Sequence, residues 1–306
     1  MKILITGLSG FFGQNFFQFL NREYPEHDLY GLDLVFGQDC RDYDIVDKAV
    51  RDKDLVISLA SLTHTETSLH YPELFLNDNI KIAYNILKAC TFHKVKLIFV
   101  SSSEVYGSLE PGWEKQSEDH PFKPCSPYAL TKAYQDLMCQ TWHRVYGTDV
   151  VIVRPFNTYG FFQDARKVIS KFIDRILKNK PITIYGDGTQ TRDWTFITDI
   201  IKGIWMAKDL PAGEIINLCS GKDYSILEII ELLKKITGKD IQIQYDKPRL
   251  GEVKRMIGDN TKAKNLLGWQ PTISFEEGLE KTFNFIKEVG TPMYLGGEEK
   301  SLRYRR

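Results

Sequence analysis

Lys2-Ile3-Leu4-Ile5-Thr6-Gly7-Leu8-Ser9-Gly10-Phe11-Phe12-Gly13 opens the chain. A short apolar run of strand length ends at Thr6, and glycines at 7, 10 and 13 follow without a spacer before a stretch of helical period. Glycine permits a tight turn at the first position, close approach of backbone to a ligand at the second, and tight helix-on-strand packing at the third. The free amides of a helix starting here face whatever anion lies on the loop. Asp33 stands twenty residues after Gly13, at the end of the second apolar run, where a carboxylate accepts bonds from ribose hydroxyls. Strand, glycines, helix and acid in register read as a dinucleotide site. Because the Asp33 carboxylate repels a ribose phosphate, the expected cofactor is NAD rather than NADP.

Gly7, Gly10, Phe11, Phe12 and Gly13 are therefore cofactor-binding candidates, with Asp33. Asp39 reads either as a partner of the adenine amine or as a cap of the next helix. Ser61 closes the third strand beside the same crevice. Outward from this end, short Ile/Val/Leu runs alternate with longer helical stretches, the pattern of a parallel sheet covered on both faces. The runs place strands near 2–6, 28–33, 54–59, 96–101, 149–154, 182–185 and 214–218. Helices are expected near 11–22, 42–51, 72–93, 127–146, 166–178 and 198–208. The fold class is α/β, a doubly wound parallel sheet of Rossmann type.

After about residue 220 the order changes to helix, strand, helix, helix, which predicts a smaller mixed α/β substrate lobe. Residues 1–160 with about 191–220 are assigned to the NAD-binding domain, and about 161–190 with 221–306 to the lobe. Ser225 with Glu228, and Ser274 with Glu277, have capping-box spacing. Gly147 and Gly238 stand where helices stop.

The 306 residues carry 40 basic and 40 acidic groups, so no global charge draws the chain to phosphate backbones, and no nucleic-acid partner is expected. The basic tail Arg303-Tyr304-Arg305-Arg306 is too short to alter that. No apolar run reaches the length of a membrane span. The chain opens straight into a strand, leaving no signal peptide in view. Five cysteines, without a CxxC pair or zinc-finger spacing, read as reduced thiols, with no metal site. Together these predict a cytoplasmic protein.

Tyr128 and Lys132 are four residues apart on a helix announced by Ser126-Pro127, so both side chains share one face. A phenol of ordinary pKa about 10 needs nearby positive charge to act as a base near neutrality, and an ammonium plus an oxidised nicotinamide would supply it. Lys132 would also hold the cofactor ribose. Ser101-Ser102-Ser103-Glu104-Val105-Tyr106-Gly107 ends the fourth strand, where the crevice of such a sheet opens. A hydroxyl of Ser102 or Ser103 would share the bond to the oxygen being oxidised.

These segments resemble the extended short-chain dehydrogenase/reductase family, in its branch of nucleotide-sugar epimerases and dehydratases. The likeness continues through Arg154-Pro155-Phe156-Asn157-Thr158-Tyr159-Gly160, the 185–193 stretch and the closing 262–269 stretch. It implies a nucleotide-diphosphate sugar as substrate, with Asn157, Arg192 and Arg249 contacting the diphosphate. A guanidinium's planar fork matches phosphate oxygens. It also implies a homodimer through the helices near 72–93 and 127–146.

The resemblance implies a shared first step, oxidation at sugar carbon 4 by Tyr128 and NAD. Glu104 then tilts the expectation toward an NDP-sugar 4,6-dehydratase, as the base that removes the hydrogen at carbon 5. Ser103 stands where one dehydratase branch has an aspartic acid, which leaves the acid for water loss unassigned. The alternatives are a 4-epimerase, a UDP-glucuronate-type decarboxylase and an NDP-4-ketosugar reductase. Outside catalysis, the alternative is a dinucleotide-sensing scaffold. Phe161 replaces a proline common after the Asn-Thr-Tyr-Gly run. His64 and His70 follow the third strand near the expected substrate region and are assigned no role; lone histidines there are more often hydrogen-bonded structural residues or exposed ones.

Overall fold

The computed structural model describes residues 1–292; the basic tail and the last part of the predicted lobe lie outside the described residues. In chain order, the first half runs β1 (Lys2–Thr6), α1 (Phe11–Glu23), β2 (Asp28–Leu32), α2 (Tyr43–Val50), β3 (Leu55–Ser58), α3 (Thr65–His70), α4 (Pro72–His93), β4 (Lys96–Val100), α5 (Pro127–Tyr146) and β5 (Val150–Pro155). Next come β6 (Asn157–Tyr159), α6 (Val168–Leu177), β7 (Ile182–Tyr185), β8 (Thr191–Phe196), α7 (Ile197–Met206) and β9 (Ile215–Leu218). The chain then continues through β10 (Asp223–Ser225), α8 (Ile226–Thr237), β11 (Ile243–Asp246), β12 (Arg255–Met256), α9 (Thr261–Leu267) and α10 (Phe275–Val289).

Six parallel strands form the main sheet in the order β2-β1-β3-β4-β5-β9. The path leaves β1 toward β2 and then reverses to β3, so the crevice of the doubly wound sheet opens beyond the ends of β1 and β3. Alternate strand residues divide between two cores: Ile3, Ile5, Ile57 and Ile98 face Phe16 of α1 and Trp205 of α7, whereas Leu4, Val56, Leu97 and Phe99 face α2, α4 and α5. Each fully buried side chain of this size is worth about 1.5–3 kcal/mol.

The second lobe is built differently from its sequence outline. β8 does not extend the main sheet: it pairs with β6, β10 and β12, while β7 pairs in parallel with β11. The 191–220 segment assigned to the first domain is thus split. Its first six residues join the second sheet, and only α7 and β9 return to the main layer. The physical tie is Asp193, fully buried in β8, whose carboxylate accepts bonds from Ser220, Gly221 and Gly258. Locally, the sequence signals hold. Ser225 and Glu228 form the reciprocal capping box at α8, and Gly147 and Gly238 end α5 and α8 in the left-handed conformation. At α10, Ser274 caps the Glu277 amide.

Candidate active site

Beyond β1 and β3 lies a cleft of ≈ 410 Å³, lined at one end by Gly7, Gly10, Phe11, Phe12 and Gly13. Gly7 has φ +72°, and a Cβ there would stand 2.9 Å from the Ala60 nitrogen. At Gly13 a Cβ would collide with the Gly7 carbonyl and lie 2.5 Å from the Leu8 carbonyl, so α1 sits flush on the loop. The N-cap of α1 is Gly10, without a side-chain cap or an acidic residue in the first turn. Its amides are left for an anion.

Asp33 is buried in this wall. One of its oxygens accepts from the Ser9 amide (2.8 Å) and hydroxyl (2.7 Å), the other from the Val35 amide (2.9 Å). The carboxylate is therefore held in place at the position expected for a ribose. Asp39 also lines the cleft, but the predicted capping role belongs to Asp42, which accepts from the Asp44 amide. Asp39 instead holds Arg41 through both oxygens, and Arg41 reaches on to Asp78 at 2.8 Å. Ser61 lines the cleft and donates to the Leu62 carbonyl. The glycine loop, the uncapped helix end and the fixed acid fit the two halves of a dinucleotide.

The middle of the cleft brings together Ser102, Ser103, Glu104, Tyr128 and Lys132. Ser126 accepts from the Ala129 amide to start α5, with Pro127 at the first helical position, which sets Tyr128 and Lys132 on the stripe facing β4. Lys132 Nζ donates to the Val100 carbonyl at 3.0 Å, and burial pushes its pKa down to about 8. Among the protein groups around Tyr128, burial and then the Glu104 charge raise its pKa, against a hydrogen bond with Ser102. The desolvated phenolate lacks a facing cation because the Lys132 ammonium is turned to the strand. Ser102 caps the short 3₁₀ turn Ser103–Tyr106 through the Glu104 amide. Ser103 is buried and donates to Met256 Sδ at 3.2 Å.

At the far end, Asn157 and Trp194, register partners across β6 and β8, both line the cleft. Asn157 Oδ1 is buried without a protein partner, an acceptor left for a ligand. Arg192 and Arg249 are not in the cleft wall. Arg192 lies in the field of Glu104 and Glu252, with burial lowering its pKa. Arg249 stacks on Tyr185 at 4.0 Å and pairs with Glu66 at 3.3 Å, so of the two arginines only Arg192 is brought near Glu104. His64 caps α3, and burial followed by the Lys167 and Arg166 charges drives it down to about 4. Sequence reasoning passed over Gln163, Lys167 and Trp194, which also line the cleft. The signal for the first two was the loop following Asn-Thr-Tyr-Gly. Phe161 packs on Phe196 and Phe285 there, and Phe162 adopts φ +62°.

The sequence model of the family described as GDP-mannose 4,6 dehydratase matches residues 28–282. The chain belongs to the nucleotide-sugar epimerases and dehydratases of the extended short-chain dehydrogenase/reductase family. Among relatives, a UDP-glucuronate 4-epimerase of Thermodesulfobacterium geofontis is 35% identical, covering 93% of this chain and 96% of its own. A solved UDP-glucuronic acid 4-epimerase of Bacillus cereus, in complex with UDP-glucuronic acid and NAD, superposes with a TM-score of 0.88 at 34% identity, over 94% of this chain and all of that one. The dTDP-glucose 4,6-dehydratase DesIV of Streptomyces venezuelae, with NAD and TYD bound, gives the same TM-score at 29% identity, over 94% and 98%. This epimerase/dehydratase is thus close to members of both reaction types.

Proposed function

We propose that the protein is an NAD-dependent nucleotide-sugar 4,6-dehydratase. The observation that carries this reading is Glu104: its carboxylate lines the same cleft as Tyr128 and Lys132, and among the described residues no cation stands within 4.0 Å of it. Gly7, Gly10, Phe11, Phe12 and Gly13 would hold the NAD pyrophosphate, Asp33 and Asp39 the adenosine, and Ser61 and Lys132 the inner half. Bound NAD supplies a reversible hydride acceptor and a positive ring.

With that charge beside it, the Tyr128 phenol loses its proton and takes the one on the carbon 4 hydroxyl, with Ser102 bonded to the same oxygen. The carbon 4 ketone acidifies the hydrogen on carbon 5, and Glu104 removes it as a proton. The carbon 6 hydroxyl then leaves. Ser103 is turned to Met256, so the newly protonated Glu104 carboxyl is the group able to hand the proton on, releasing water. The hydride taken up from carbon 4 would then return to carbon 6 while carbon 5 receives a solvent-derived proton through Glu104, giving the 4-keto-6-deoxy sugar and leaving NAD oxidised for the next turnover. Asn157, Arg192 and Arg249 would hold the diphosphate.

Incubating the protein and NAD with UDP-, dTDP-, GDP- and CDP-hexoses should give a product lighter by one water, with solvent deuterium at carbon 5. An unchanged mass with inversion at carbon 4 rejects dehydration. That outcome is the second reading, a 4-epimerase, favoured by the engagement of Ser103 away from the cleft. We further propose a homodimer through α4 and α5. The five thiols are unpaired, and we propose a cytoplasmic location for the protein.

A further inference from the structure

Among the described residues Arg154 is the largest fully buried side chain, at 1% exposure, and no step of the chemistry above uses it. It lies on β5 and grips Asp136 of α5 in a fork, Nε to Oδ2 and Nη2 to Oδ1, both 2.9 Å. Asp136 is itself fully buried and continues the helical stripe of Tyr128 and Lys132 by one more turn. The remaining nitrogen, Nη1, donates to the Tyr106 hydroxyl at 2.7 Å and to the Glu118 carbonyl at 3.0 Å. Tyr106 in turn donates to Asn217 Oδ1 of β9 at 2.8 Å, and the Asn217 amide nitrogen donates to the Gln116 carbonyl. The guanidinium also lies 5.2 and 4.8 Å from the centroids of the Tyr106 and Phe122 rings, which meet edge to face.

Each nitrogen of the guanidinium and the Tyr106 hydroxyl has at least one acceptor, at the desolvation cost of two buried charges. Stability alone gives little reason to keep such a pair, because apolar groups of the same volume commonly serve as well. Its placement gives a better reason. One end holds the helix that carries Tyr128 and Lys132, and the other holds Tyr106, which closes the single 3₁₀ turn containing Glu104. Helix and turn are joined through the fork.

We infer that Arg154, with Asp136 and Tyr106, is a positioning residue that sets the Glu104 carboxylate against the Tyr128 phenol for the second half of the reaction. The inference rests on the reading of Glu104 as the base at carbon 5. Carbon 4 oxidation needs only α5 and the cofactor, so loosening the turn should spare it. Proton removal at carbon 5 needs both elements in register, and a displacement near 1 Å at a reacting group costs up to about a hundredfold.

The test uses Arg154→Met combined with Asp136→Leu, which removes both charges, and separately Tyr106→Phe, which keeps the packed ring and cuts the bridge to Asn217. In single turnovers the 4-keto sugar is trapped as its oxime, while water loss and carbon 5 deuteration are followed by mass. The double variant should form 4-keto sugar within about threefold of wild type while water loss falls about tenfold to a hundredfold at unchanged KM. Tyr106→Phe should show the same partition, about threefold to tenfold. Arg154→Lys, which retains the charge but not the fork, should recover part of the elimination rate. Equal losses in oxidation and elimination, or no loss in Tyr106→Phe, overturn the positioning role. Turnover by wild type without water loss overturns the dehydratase reading and this inference with it.

Discussion

Lys132 carries an ammonium into a fully desolvated place, and its free-energy consequences have opposite signs for stability and for chemistry. Its pKa is depressed to about 8 in the folded protein against 10.5 for the free side chain. The folded state therefore disfavours the charged form. Below pH 8 the cost is complete; between 8 and 10.5 the unfolded chain binds more protons, so stability rises with pH and the cost disappears. Lys132→Met should accordingly be more stable than wild type at pH 7, by about 3 kcal/mol at most, with the gain vanishing near pH 10.5. Urea unfolding of both proteins at pH 7 and pH 10 measures this, and a difference independent of pH would sink the assignment. Tyr128→Phe should lose about a hundredfold or more in turnover while NAD still protects against thermal unfolding. Glu104→Gln should abolish carbon 5 deuteration yet still give oxime-trapped 4-keto sugar; undiminished water loss removes Glu104 from the mechanism.

At the scale of elements, the glycine loop separates two kinds of constraint. A methyl at Gly13 meets backbone of the loop itself, 2.5 Å from the Leu8 carbonyl and 2.6 Å from its Cα, and backbone cannot step aside. Gly37 has nothing within 4 Å, but its φ is +76°. Gly13→Ala should cost about 1–3 kcal/mol and weaken NAD binding, whereas Gly37→Ala should cost about 1–2 kcal/mol and leave affinity unchanged. Titration of NAD by fluorescence, beside thermal melts, distinguishes them; equal affinities would show that the flush packing of α1 is not needed. The same contrast explains what was legible beforehand. Apart from the edge strand β2, the strands of the main sheet are buried on both faces and read as apolar runs, and the Gly loop, Asp33 and the Tyr128–Lys132 pair are signals of local spacing. β8 was not legible, because Thr191-Arg192-Asp193 is polar and its partners come from Ser220, Gly221 and Gly258. Nor was the elevated phenol pKa, which comes from burial and then from the Glu104 charge, both set by tertiary packing rather than by spacing in sequence.

For the whole molecule, the face turned away from the cleft on α5 carries Leu130, Tyr134 and Leu137, exposed by 48%, 52% and 51%. Their i, i+4, i+7 spacing makes one stripe. Tyr84 of α4, 38% exposed and edge-on to Trp142 of α5 at 6.1 Å, widens it into a band over two adjacent helices. We propose that this apolar band is covered by a second copy of itself about a two-fold axis, which would bring four helices together. Tyr128 and Lys132 lie on the opposite side of α5, so each copy keeps its own cleft. Sedimentation velocity should give a dimer for wild type at micromolar concentration. Tyr134→Lys with Leu137→Lys should raise the dissociation constant about a hundredfold or more, since large anchors at an interface centre each carry about 2 kcal/mol. Because α5 is the helix on which the catalytic pair stands, the monomeric variant should also melt at lower temperature in a concentration-independent way, while NAD affinity stays near wild type. A wild-type protein that sediments as a monomer across that range would leave the band without its second copy and refute the dimer.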